Sequence, residues 1–255
     1  MFTNRKLIWA VVVGVTGALV VALAACGDSE EDSGVSASCE AFDGFTSYRY
    51  SISVRMQLPG LQPGAPAPAL GTYANSLAAL LSDFEIDGAY VAPGRRQALL
   101  DFQGAQVELR EVDGQGWERF GESWAPQAAA APAIGDLSPQ VVCTNLVETL
   151  APSLSITSGE EVDVNGVASR HYSSDQASAA SLGELLGVSD EAELPERFTV
   201  EAWFASDGDW PVRLTMKSQA KDLAGSLATV EFAMEVRDLN DAAITIDDPT
   251  AASGG

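Results

Sequence analysis

The chain has 255 residues, with 36 acidic side chains against 14 basic ones and a formal charge of −22. A field of that sign repels phosphate backbones and anionic headgroups, so it excludes nucleic-acid binding and a peripheral electrostatic grip on a membrane. The length suits one sizeable domain with its own core, and no internal repeat divides it.

Arg5 and Lys6 open the chain, an apolar run follows from Leu7 to Leu23, and Leu23-Ala24-Ala25-Cys26-Gly27 closes it. A run of about 17 residues is marginal for a spanning helix, and small residues precede the cysteine as signal-peptide cleavage requires. Residues 1–25 resemble a bacterial lipoprotein signal peptide, which implies that Cys26 becomes the lipidated first residue of the mature chain. The competing reading is an uncleaved N-terminal anchor helix. Both place the remainder outside the cytoplasm, at the cell membrane or outer membrane, on its periplasmic or cell-surface side. Losing Arg5 and Lys6 takes the formal charge from −22 to about −24. A lipid must then do the anchoring, at about 0.8 kcal/mol per buried methylene. Residues 26–38 follow as an acidic tether, since Gly27 to Ser38 (GDSEEDSGVSAS) lacks the apolar surface needed to fold. Cys39 and Cys143 remain, an even number in an oxidising compartment, and are expected to form a disulfide across about 105 residues; two buried free thiols are the alternative.

Strict alternation begins at Tyr48, with Tyr50, Ile52, Val54, Met56 and Leu58 on one side and Ser51, Ser53, Arg55 and Gln57 on the other. The same period returns at Phe198 to Phe204, Val212 to Met216 and Val230 to Val236. These stretches predict antiparallel strands with one buried face. Asp87-Gly88, Pro93-Gly94, Asp113-Gly114, Asn165-Gly166 and Asp207-Gly208 are read as the hairpin turns between strands.

Helical signals interrupt the meander. Asp136 and Ser138 are candidate caps for a helix that starts at Pro139 and carries Val142, Cys143, Leu146, Val147 and Leu150 toward Pro152. A shorter helix is predicted over 175–186 and a third near 73–81. Residues 59–70 and 121–135 are long, Pro- and Ala-rich and nearly uncharged, and are read as loops, either lids or disordered. Trp124 favours the lid reading, because an aromatic in a bland loop needs something to pack on.

Three places resemble the lipoprotein-carrier superfamily of LolA-, LolB- and LppX/LprG-type proteins. They are Glu160 to Tyr172 with its Val164-Asn165-Gly166-Val167 centre, Val200 to Leu214 with Trp203 and Asp207-Gly208-Asp209-Trp210-Pro211, and Val236-Arg237-Asp238-Leu239-Asn240 leading to Ile244-Thr245-Ile246 and Pro249. Together they cover most of residues 45–249, and the N-terminal cysteine makes the LppX/LprG-type group the better match. The pattern of strands and helices predicts an α+β fold, a curved antiparallel sheet with helices on its concave side over residues 39–250 and a disordered tail at 251–255; the resemblance implies about eleven strands, wrapped around helices as a half-open β-barrel. It also implies an apolar cavity for acyl chains.

Read from the residues alone, a pocket lined by Ile52, Val54, Met56, Leu58, Phe84, Ile86, Leu100, Phe102, Val230, Phe232 and Met234 suits an alkyl chain, since non-directional burial supplies the affinity. Met216 adds adaptable surface. His171 is the sole histidine and sits on a predicted strand as a surface or packing residue. No nucleophile elbow, phosphate-binding loop or cluster with metal-ligand spacing occurs, so no enzyme activity, cofactor or metal is expected. The expected partners are an acylated lipid or lipoprotein, the membrane reached through the anchor, and an envelope transporter protein. A second reading keeps the fold but fills its cavity, leaving a protein-interaction or sensor lipoprotein.

Overall fold

The computed structural model describes residues 38–57, 83–102, 104–127, 135, 138–151, 154–174, 197–221 and 227–249. Eleven strands build one sheet: β1 (Ser47–Gln57), β2 (Asp83–Val91), β3 (Arg95–Phe102), β4 (Ala105–Val112), β5 (Gln115–Phe120), β6 (Ser123–Pro126), β7 (Ser155–Val164), β8 (Val167–Ser174), β9 (Arg197–Ala205), β10 (Pro211–Lys221) and β11 (Leu227–Arg237). The order β6-β5-β4-β3-β2-β1-β11-β10-β9-β8-β7 leaves β6 and β7 as free edges, so the sheet is open. Consecutive strands are neighbours within β1–β6 and within β7–β11, and β1 with β11 is the one pair that joins distant parts of the chain. All pairings are antiparallel, as the alternating pattern requires.

The turns obey local chemistry with one exception. Asp113-Gly114 and Asn165-Gly166 have positive φ at both positions (53° and 77°, 56° and 81°) and close two-residue hairpins. Asp87-Gly88 makes no turn: both residues lie inside β2, and Gly88 stands opposite Tyr50 of β1. A Cβ at residue 88 would come within 2.0 Å of Tyr50 Cζ, so this glycine exists for the close approach of a ring. The stretch 121–135 also differs from a plain loop, because Ser123–Pro126 pairs with β5 as an edge strand.

Helices are few among the described residues. Ser138 caps α1 (Pro139–Val142) by accepting from Val141 N–H at 3.4 Å, and Pro139 takes the first position, where a missing donor costs nothing. The helix continues through a π-helical stretch (Cys143–Val147) into α2 (Glu148–Leu150), burying Val142, Cys143, Val147 and Leu150. Cys143 is bonded to Cys39 at the start of a 3-10 turn (Cys39–Gly44), with the two Cα atoms 5.6 Å apart. The helices predicted over 175–186 and near 73–81 lie outside the described residues, as does the loop 59–70. Among the described residues the α+β expectation stands as a dominant open sheet with one interrupted helix, without helices wrapped by the sheet.

One end of the sheet carries a plug of aromatic rings. Phe42 packs edge-on against Phe45, Tyr48 and Trp210 at 5.7–6.0 Å, and Tyr48 reaches Tyr50 and Tyr90. Burial pushes the Tyr48 and Tyr50 phenols well above their usual range. After β11 the chain turns at Asn240, whose backbone N–H donates to Ser47 O (2.7 Å) and whose Oδ1 accepts from Thr46 N–H (2.8 Å). It then reaches β3 and β4, where Arg95 and Arg110 donate to the carbonyls of Ile246 and Asp247. Ile244 and Ile246 are buried there, outside the main core.

Candidate functional site

The cross-strand register assembles the apolar residues into rows on the inner face. Phe102, Phe84, Val54, Phe232, Met216 and Val200 stand side by side across β3, β2, β1, β11, β10 and β9. Leu100, Ile86, Ile52, Met234, Leu214 and Ala202 form the next row, one step closer to the aromatic plug. On the other side of the first row Met56, Val230, Ser218 and Phe198 form a third, shorter row. No charged side chain interrupts any of the three. Every pocket residue named from the sequence falls in these rows except Leu58, which lies outside the described residues.

Burial grades along the strands, although Phe84, Phe102, Phe198, Val200 and Phe232 are buried like the row beside the plug. Ile52, Ile86, Leu100, Leu214 and Met234 are at most 5 % exposed and act as ordinary core beside the plug. Farther along the same strands Val54, Met56, Met216 and Val230 are half-buried, and Val54 stands opposite Phe84, whose ring stacks on Phe102 (centroids 4.8 Å apart). The face therefore has a closed end at the disulfide and a less filled end at Gln57, Arg197 and Leu227. Phe198 and Val200 belong to it and were missed as lining, because a single strand's alternation does not reveal which neighbour it meets.

The outer face is polar and paired. Arg55 lies 3.7 Å from Asp83, Lys217 2.7 Å from Glu231 and Arg237 3.3 Å from Asp87. Glu108 is buried and held by Arg110, Arg119 and Gln97, and Arg110 and Arg119 both pack on the Trp124 ring. Trp124 thus has its packing partners within the sheet, on β4 and β5. His171 stacks on Trp203 at 4.5 Å and 9°, and Arg213 covers the same indole from the next strand at 5.5 Å. Trp203 is half-buried by that stack. Arg213 also binds Glu235 at 2.5 Å, and Asn165 Nδ2 donates to Glu235 at 2.8 Å. Burial raises the Glu235 pKa, yet the bonds from Arg213 and Asn165 outweigh it and hold the carboxyl below its ordinary value. A groove of about 290 Å3 with mixed polar and apolar lining lies between β1 and β9, with Ser53, Thr215, Met216, Phe232 and Ala233 among its residues.

Chemically, the inner face offers non-directional burial and no charge. Among the described residues no group of three or more His, Cys, Asp or Glu side chains is placed to hold a metal ion. No helix among them is long and apolar enough to cross a membrane.

No family model matches the chain, and no curated protein matches it. Among solved structures it is similar to the crystal structure of LprF from Mycobacterium bovis, at 15 % identity and a TM-score of 0.42, with 83 % of this chain and 93 % of that chain covered.

Proposed function

We propose that this chain is an extracytoplasmic lipoprotein, tethered through Cys26, whose inner sheet face holds the acyl chains of a lipid or lipoprotein for transport or shielding. The observation that carries the reading is the pair of uninterrupted six-strand apolar rows, one packed as core and the other half-buried at Val54 and Met216. Six strands at about 4.8 Å spacing make an apolar floor about 24 Å wide. A floor of that kind binds by area removed from water, about 25 cal/mol per Å2, and selects for apolar length over polar detail. In this reading the protein binds and does not catalyse.

The test is native mass spectrometry with lipid extraction on residues 27–255, exported so that the disulfide forms without the anchor. Bound lipid near one-to-one is the expected result. A clean unliganded mass that also takes up no added lipid overturns the reading and favours a protein-interaction module built on the same sheet. Val54→Asp places a charge in the half-buried row and is expected to abolish uptake with the circular-dichroism spectrum retained; unchanged uptake would remove that row from the site.

A further inference from the structure

The two ends of the sheet are unlike in what leaves them. Ser38, the first described residue and the last of the tether, bonds through its N–H to Asp209 O in the β9–β10 turn (3.0 Å), and the next residue is locked by the Cys39–Cys143 bridge. The turns at Pro93-Gly94, Asp113-Gly114 and Asn165-Gly166, and the Asn240 turn beside Ser47, lie at this same end. At the opposite end β1 finishes at Gln57 and β8 at Ser174, β2 starts at Asp83 and β9 at Arg197, and the β10–β11 connection crosses. The connections 58–82, 175–196 and 222–226 therefore all depart from the end where the inner face is less filled.

We infer that the loading end of the sheet points away from the membrane that holds Cys26, so that cargo is exchanged with a second lipid surface in trans and not with the anchoring leaflet. This rests on the tethered lipid-binding reading above. The lengths support it. An eleven-residue strand such as β1 is about 35 Å long. The twelve residues from Gly27 to Ser38 reach at most about 43 Å fully extended. For the loading end to touch the anchoring leaflet, the tether would have to run back along the whole strand at close to its limit. The roughly −24 charge of the mature chain adds repulsion from any anionic leaflet.

The test uses the full lipidated chain in phosphatidylcholine vesicles that carry a headgroup-labelled acceptor lipid. A fluorescent donor is placed on Gln57→Cys at the loading end or on Asp207→Cys beside the tether exit, both exposed sites. With the sites about one strand length apart along the sheet, energy transfer is expected to be at least about twofold greater from residue 207. Equal transfer, or more from residue 57, overturns the orientation. A chain that fails to float with the vesicles overturns it too, by removing the anchor. Absence of lipid in the soluble domain's mass spectrum is a separate result that removes the cargo reading alone.

Discussion

Tyr50 and Gly88 show how closely single residues are matched across this sheet. The Tyr50 ring lies over the backbone of β2, in space that any side chain at residue 88 would need. Gly88→Ala is expected to destabilise by at least about 1–3 kcal/mol, the usual range for overpacking, as a fall in the urea midpoint; an unchanged midpoint would show that the ring moves aside freely. Glu235 gives a pH prediction. Its carboxyl is held below the ordinary value of 4.5, so its contribution to stability is full above that value and is lost as pH falls through the lower folded-state value. Glu235→Gln keeps an acceptor for Arg213 but removes the titration. Its unfolding free energy should fall less than the wild type's on acidification below pH 4.5, and parallel acid-side curves would refute the pairing's role. Both residues were visible as letters, Gly88 even as a turn signal, but a glycine kept for its lack of volume looks the same in sequence as one kept for positive φ.

At the scale of elements, alternation named β1, β9, β10 and β11 and cap chemistry named the helix, because both are local. Ser138 and Pro139 began the helix where expected, and the aliphatic spacing carried it to Leu150. The segment after β11 escaped that reasoning. Ile244-Thr245-Ile246 alternates like a strand, yet it makes no ladder; it lies against β3 and β4 with its carbonyls bonded by Arg95 and Arg110. Ile246 is 3 % exposed, so Ile246→Ala is expected to cost about 2–5 kcal/mol, as for other buried aliphatic truncations. Thermal unfolding measures it, and a change within about 0.5 kcal/mol, typical of surface positions, would show that the segment merely rests there. Trp124 carries the same lesson: its loop composition was legible, while the two guanidiniums that pack on it come from other strands.

Across the whole molecule, the pairing of β1 with β11 and the Cys39–Cys143 bridge join distant parts of the chain. The bridge has a sequence separation of 104, for which loop-closure entropy predicts up to about 4–5 kcal/mol of stabilisation. Reduction, or Cys39→Ser with Cys143→Ser, is therefore expected to lower the unfolding midpoint strongly, and a midpoint insensitive to reductant would refute it. The acidic balance, the apolar run that precedes Cys26 and the period-2 strands β1, β9, β10 and β11 were determined by the sequence alone, since each depends on composition or on neighbours a few residues apart. Only the tertiary structure decided which strands stand next to each other, and hence that Val54 meets Phe84 and Phe232. It alone showed which residues of one set of strands are packed and which half-buried, and put Ser38 at the end of the sheet opposite Gln57, Ser174 and Arg197. The reason is physical: alternation states which face a side chain takes, but register and burial are set by contacts between residues far apart in the chain.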